Sequence, residues 1–157
     1  MNSCCFTGHR SIPSEYLDTI TEAIQAEVRA AIADGFDHFY CGFAEGGDLV
    51  FAQAVAHHIN AGVPIHLHAA LPSRARERAL LNNPAASALL SLCDEVYLAS
   101  EKGHAGIYAQ RNRYMVEHCQ RVIALYDGRE TGGTAATILL ARQLNRCLRL
   151  INPTAPQ

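Results

Sequence analysis

No apolar run in this 157-residue chain reaches the ~20 residues that a membrane-spanning helix requires. Its first residues, MNSCCFTGHR, carry neither a basic leader nor a long apolar stretch. A cytoplasmic protein with no membrane partner is therefore expected. An excess of positive charge is also missing: 13 Lys and Arg stand against 15 Asp and Glu, for a net charge of −2. That balance offers no electrostatic footprint for a phosphate backbone. Basic and aromatic residues are not interleaved as a base-stacking surface requires, so nucleic acid is not an expected partner. The six cysteines include no C-x-x-C pair and no zinc-finger spacing. Cys4, Cys41, Cys93, Cys119 and Cys147 are scattered among apolar neighbours, and Cys5 adjoins Cys4 in a strand-like run. Reduced, mostly buried thiols are the expectation. His66-x-His68 puts two imidazoles on one strand face, but with His9 they find no carboxylate or cysteine at metal-binding spacing, so no metal is expected. His57-His58 reads as helix surface. Neither G-x-G-x-x-G nor G-x-x-x-x-G-K-[ST] occurs, and there is no internal repeat, low-complexity tract or interdomain linker.

What is present is an alternation. A chain of this length suits one domain with a real core. Hydrophobic residues make up 49% and charged residues 18%, a soluble, globular composition. Short β-prone runs are SCCFTG, HFYCG, PIHLHAAL, EVYLAS, RVIALYDG and CLRLIN. Between them, Ile20, Ile24, Val28 and Ile32 repeat at helical spacing, as do Leu49, Ala52, Val55 and Ala56. Tyr108 to His118 and Ala135 to Asn145 form later helices, and RARERALLNN and PAASALLSLCD form shorter ones before the fourth strand. Strand and helix in repeated alternation imply right-handed crossovers. The expected fold class is α/β: a single doubly wound Rossmann-like domain over residues 1–152, with a mostly parallel sheet flanked by helices and a loose tail at 153–157.

In such a domain, ligands sit beyond the carboxyl ends of the strands. The polar and glycine-rich segments of this chain gather at that edge. Thr7-Gly8-His9-Arg10 follows the first strand, CGFAEGGD (Cys41 to Asp48) the second, SEKGHAG (Ser100 to Gly106) the fourth, and YDGRETGGT (Tyr126 to Thr134) the fifth. The opposite edge is plain, with Gly35 and Gly62 placed as helix C-caps. A glycine-rich turn entering a helix offers free N–H groups and the positive end of the helix dipole to an anion. Gly46-Gly47 and Gly132-Gly133-Thr134 both qualify. Asp48 and Thr134 read equally well as N-caps and as ligand contacts. Arg10 can hold a phosphate bidentately, so His9-Arg10 is read as a ligand contact. Arg74, Arg76 and Arg78 after the third strand read first as a solvated face, and alternatively as cations reaching over a phosphate.

CCFTGHR, the G-x-A-x-G-x-D of Gly42, Ala44, Gly46 and Asp48, RNRYMV from Arg111, and IALYDG…GGT occur in an order resembling the small bacterial YpsA-like, DUF1273 group. That group belongs to the SLOG superfamily, which joins the DNA-processing protein DprA/Smf with the lysine-decarboxylase-like "lonely guy" (LOG) proteins. The resemblance implies a Rossmann-like fold and a site for a nucleotide or nucleotide-derived ligand such as ADP-ribose, with no certain cofactor. It implies that the ligand meets Thr7, Gly8, His9, Arg10, Gly42, Gly46, Gly47, Asp48, Arg111, Asn112, Asp127, Gly128, Gly132, Gly133 and Thr134. Association with further copies of the chain stays open. The LOG branch cleaves the N-glycosidic bond of nucleoside monophosphates, using an arginine on the helix before the strand and P-G-G-x-G-T-x-x-E. Arg111 matches the arginine and Gly133-Thr134 the G-T, but Thr137 stands where that family has glutamate. The P-G-G is replaced by Tyr126-Asp127-Gly128, with three residues before the glycine pair. Hydrolysis wants a carboxylate, and Asp48 and Asp127 are the candidates to supply it, with Arg111 beside them. A nucleotide-binding or sensing module is the leading expectation. A nucleoside-monophosphate N-glycosidase comes second, and a DprA-like single-stranded DNA binder a distant third.

Overall fold

Two cysteines, a phenylalanine and a threonine form the middle of the first strand, β1 (Ser3–Gly8), whose first five residues are buried. Burial of both faces is the mark of a central parallel strand. In the computed structural model, which describes residues 2–154, a 3-10 turn at Ser14–Tyr16 leads into α1 (Leu17–Ala33). The chain continues through β2 (His38–Cys41), α2 (Gly47–Asn60), β3 (His66–Ser73), α3 (Arg74–Leu81) and α4 (Pro84–Ser91). It closes with β4 (Cys93–Ser100), α5 (Ile107–His118), β5 (Arg121–Leu125), α6 (Gly133–Gln143) and β6 (Cys147–Ile151). The sheet order is β4-β3-β2-β1-β5-β6, and every pairing is parallel. The α/β, Rossmann-like expectation holds, with a sheet that is wholly rather than mostly parallel.

Segment boundaries moved for local reasons. Cys93 and Asp94, expected at the end of a helix, open β4 instead, because α4 stops at Ser91. β5 ends at Leu125, and Tyr126 to Gly128 leave the sheet, Gly128 with φ of +93°. α6 starts at Gly133, two residues before the position implied by its apolar repeat. Gly35 and Gly62 do follow helix ends with positive φ, as their spacing implies. Of the expected tail, residues 155–157 lie outside the described residues, while Pro153 is buried.

The two faces of the sheet are covered unequally. One carries α1 to α4 over a large core in which Phe6 stacks on Phe51 at 5.2 Å. The other carries only α5 and α6, over a smaller core around Cys5, Tyr40, Met115, Val116 and Val122. Where those two helices leave the second face open, histidines and tyrosines stack. His68 lies on Tyr40 at 4.5 Å and against His38 at 5.1 Å, and Tyr97 lies flat on Tyr114 at 3.7 Å. A 2.8 Å hydrogen bond joins His38 Nδ1 to His68 Nε2, and His66 meets Asp94 at 2.5 Å. Among the described residues no group of histidine, cysteine and carboxylate side chains could hold a metal ion. All six cysteines are free thiols, with Cys147 exposed and Cys93 partly so. No described helix is long and apolar enough to cross a membrane.

Burial, reinforced by the neighbouring His38, holds the His68 imidazole below its ordinary pKa. A group with a depressed folded-state pKa binds its proton more readily when unfolded. Its contribution to stability is therefore whole above the unfolded value of about 6.5 and declines as pH falls below it. Denaturant unfolding of the wild type between pH 7.5 and 5 should lose stability across that window. His68→Phe, which keeps the ring stack, should show a shallower loss; parallel pH profiles would contradict this role for His68.

Candidate functional site

The order of the strands reverses between β1 and β5: from β1 the chain works outward to β4, then returns to pair β5 on the other side. The loops after these two strands diverge and leave a crevice at their carboxyl ends. A cavity of about 530 Å³ opens there, within the ~300–1,000 Å³ common for small-molecule sites. Its walls come from the β1 loop (Thr7 to Ser11), from Ala44 and Asp48, from Tyr108, Arg111, Asn112 and Met115 of α5, and from Arg129 and Thr131 to Thr134. A smaller cavity of about 140 Å³ adjoins it and shares Arg10, Ala44, Tyr108 and Arg111.

Arg111 is only 6% exposed although it carries a full charge. Its Nη1 donates to the carbonyls of Gly42 (2.8 Å) and Ala70 (3.3 Å), and its Nε donates to Asn112 Oδ1 (2.7 Å). Hydrogen bonds of this kind are what let a guanidinium remain buried. A Cβ added at Gly42 would lie 2.4 Å from Nη1 and 3.0 Å from an Asp48 carboxylate oxygen. The glycine after β2 therefore makes room for the arginine. Burial lowers the Arg111 pKa, opposed chiefly by Asp48.

Asp48 is the one carboxylate lining the large cavity, and it is 5% exposed. It caps nothing inside α2, whose N-cap is Gly46; its Oδ2 accepts from the Ala44 N–H (3.1 Å). Burial pushes its pKa up to about 6, against the pull of Arg111, the Ala44 N–H, Arg10 and Arg76. The loop holding it is tightly determined. Phe43 is fully buried with φ of +54°, donates its N–H to Cys41 Sγ, and accepts from Arg76 Nη2 at 2.8 Å. A positive φ at a bulky residue persists only where the surroundings enforce it.

The glycine pairs divide. Gly46 (φ +81°) touches the β1 loop: a Cβ there would be 2.4 Å from the Arg10 carbonyl oxygen. Gly47 faces the Phe6 ring, 2.9 Å from an added Cβ. Neither lines the large cavity or the small one. Gly132 (φ +108°) and Gly133 do, at the N-terminus of α6, and a Cβ on Gly133 would have nothing nearer than Asn112 Nδ2 at 3.9 Å. The first N–H groups of α6 have no acceptor within the helix. Thr134 lines the cavity without capping the helix.

Asp127 and Gly128 stand just outside the large cavity. Three short contacts with Arg129 hold the Asp127 carboxylate well below the usual range, with His9 adding to the effect. His9 Nε2 lies 3.1 Å from both the Asp127 N–H and its carboxylate. Burial lowers the His9 pKa despite that carboxylate, so the neutral ring accepts from the N–H and ties the β1 loop to the β5 loop. Thr137, at the position of the LOG glutamate, is buried and donates its hydroxyl to the Gly133 carbonyl at 2.7 Å.

Thr7, Gly8, His9, Arg10, Asp48, Arg111, Asn112, Gly132, Gly133 and Thr134 thus share the large cavity, and Gly42 borders the small one. Two residues at these cavities, Tyr108 and Arg129, were not singled out in the sequence, and a third, Arg76, was open to two readings. Tyr108 is 46% exposed, with the Arg10 guanidinium 4.9 Å and that of Arg111 5.6 Å from its ring centre. Arg129 has no pattern to mark it. Arg76 departs from the solvated-face reading and lines the small cavity, whereas Arg74 pairs with Glu77 and Glu101, and Arg78 is exposed.

No known family's sequence profile matches the chain, and no curated protein matches it either. Solved structures do. TM1055, a structural-genomics target, superposes with a TM-score of 0.58 at 18% identity, over 94% of this chain and 72% of that one. DNA processing protein A from Helicobacter pylori, described for its single-stranded DNA binding mode, superposes with a TM-score of 0.64 at 15% identity. The likeness is one of fold. The match to the DNA processing protein takes in 96% of this chain but 65% of that protein's, so this chain spans less than two thirds of its length.

Gly42→Ala and Gly133→Ala should separate structural from open glycines. The first presses on a buried guanidinium and should cost about 1–3 kcal/mol of stability, the range for overpacking. The second should stay within ~0.5 kcal/mol, as substitutions away from such contacts do. Chemical denaturation of both measures the difference, and equal losses would contradict the geometry.

Proposed function

We propose that this chain is a nucleotide-binding module of the SLOG superfamily, of the YpsA-like DUF1273 kind, taking a nucleoside phosphate in the large cavity. The observation that carries this reading is the pairing, across one switch-point crevice, of an open glycine turn at a helix N-terminus with a half-exposed tyrosine flanked by guanidiniums. The α6 N-terminus suits a phosphate, through free N–H groups and the helix dipole. The Tyr108 face suits a base or sugar, and Arg129, Arg10 and Arg111 supply charge. The shared fold with TM1055 and the DNA processing protein supports the superfamily, and the ordered motifs support the narrower group. A cytoplasmic location accords with the absence of a membrane-spanning helix among the described residues. Single-stranded DNA, bound by one of the fold relatives, is the weakest reading, because the net charge is −2.

A second reading rests on Asp48. A buried carboxyl poised near neutrality beside a nucleotide can protonate a departing base, the chemistry of an N-glycosidase. Against it, Thr137 replaces the LOG glutamate and spends its hydroxyl on the backbone. Asp127 is outside the lining of the large cavity, and both its carboxylate oxygens are engaged by Arg129.

Thermal-shift measurements with millimolar nucleoside monophosphates should raise the melting temperature, because a micromolar ligand at 1,000-fold excess stabilises by about 4 kcal/mol. Gly133→Val should abolish the shift without lowering the unliganded melting temperature, since the position is open. A variant that responds like the wild type would refute the phosphate site. On prolonged incubation, chromatography should find no free base. Brisk release that Asp48→Asn abolishes would make the protein a hydrolase.

A further inference from the structure

Three arginines converge on the small cavity, and one of them, Arg76, does not line the large one. Arg10 comes from the β1 loop, Arg76 from α3 and Arg111 from α5, and all three line it. They are not neutralised in the ordinary way. Among the described residues none of them makes an ion pair within 4.0 Å. Two of them bond to backbone carbonyls instead: Arg76 Nη2 to Phe43, and Arg111 Nη1 to Gly42 and Ala70. Nη2 of Arg111, a residue 6% exposed, makes no hydrogen bond among the described residues, and neither do Nε and Nη1 of Arg76. Glu45 on the rim and buried Asp48 leave the cluster with a cationic surplus. Like charges brought together around a cavity repel, and an entering anion relieves that repulsion while taking up the unused donors.

The position of this cavity decides which ligand would use it. The α6 N-terminus follows β5, whereas Gly42 and Glu45 follow β2, and Pro72 and Arg76 lie at the end of β3 and just beyond it. Because β1 lies between β5 and β2, the two anion sites are anchored two to three strand spacings apart, on the order of 10–14 Å. The arginine side chains reach back toward Tyr108 and shorten that span, but not to the few ångströms between the phosphates of a diphosphate. Tyr108 and Arg10 border both cavities and mark the bridge where a nucleoside would lie.

We infer that Arg10, Arg76 and Arg111 form a second anion subsite, and that the ligand is a nucleotide carrying phosphates on both the 5′ and 3′ sides of one nucleoside. This rests on the nucleotide-binding reading. Two sources share that chemistry: a nucleoside 3′,5′-bisphosphate, and a 5′-phosphorylated dinucleotide, whose linking phosphodiester takes the 3′ position.

Calorimetric titration of the full chain with adenosine 5′-monophosphate, adenosine 5′-diphosphate, adenosine 3′,5′-bisphosphate and 5′-phosphorylated diadenosine tests it. Either doubly spaced ligand should bind tenfold or more tightly than the monophosphate, the gain expected of one charge-assisted contact. A gain confined to the bisphosphate identifies a terminal phosphate as the occupant, and a gain with the dinucleotide identifies a diester; each supports the subsite. Arg76→Gln should erase the gain and leave monophosphate affinity within about twofold, since Arg76 lines only the small cavity. Arg76→Lys, which keeps the charge, should retain part of it and guards against a folding defect in the first variant. A gain that survives Arg76→Gln, an equal gain with the 5′-diphosphate, or no gain at all would overturn the subsite while leaving the monophosphate reading intact. Failure of every ligand to bind would overturn both.

Discussion

A charged side chain buried where a strand ends sets the terms for everything around it. Arg111 cannot be desolvated without replacing the hydrogen bonds it had in water. It does so with the carbonyls of Gly42 and Ala70 and the Asn112 side chain, which ties α5 to the ends of β2 and to β3. The consequences spread outward. The residue after β2 has to be glycine, because a Cβ there would occupy the guanidinium's place. The loop after that glycine passes through a buried Phe43 at positive φ, and Asp48 lies within the field of the same cation. With Nη1 and Nε committed, Nη2 remains for whatever enters the cavities.

The crevice itself follows from topology. A wholly parallel sheet that grows first to one side of β1 and then to the other must open a gap between the β1 and β5 loops. His9 bridges that gap from one side by accepting the Asp127 N–H, and Asp127 is in turn fixed by Arg129. Both loops thereby hold their shape around the cavity, so the site is largely formed before any ligand arrives. The glycines serve three purposes: room for Arg111 at Gly42, close passage of backbone and core at Gly46 and Gly47, and an open helix N-terminus at Gly132-Gly133.

These purposes explain what could be read from the sequence. Short β-prone runs marked the strands and apolar repeats at helical spacing marked the first helices, because burial on one or both faces imposes an apolar pattern. The site edge was legible too, because polar and glycine residues accumulate where strands hand over to helices. Which glycine faces a ligand and which faces Phe6 was not legible, because both need a residue without a side chain and the difference lies in a partner far along the chain. Tyr108 was missed, and Arg76 left between two readings, for a related reason. An arginine or tyrosine in the first turn of a helix reads as a solvated position until the fold shows that α3 and α5 both pack against β3, the neighbour of β2. Asp48 was legible as a cap or a ligand contact; it makes no side-chain cap, and it lines the cavity with its Oδ2 held by the Ala44 N–H of its own loop.

The claim on which the rest turns is that the α6 N-terminus receives a phosphate. Backbone amide resonances report this without any substitution, since an anion bonded to an N–H moves that nucleus directly. Titrating isotopically labelled protein with adenosine 5′-monophosphate should produce saturable shifts that are largest at Gly133, Thr134 and Ala135, with smaller ones at Tyr108 and in the β1 loop. Shifts that leave these three amides in place, or that gather instead on the stacked histidines and tyrosines of β2, β3 and β4, would contradict the account.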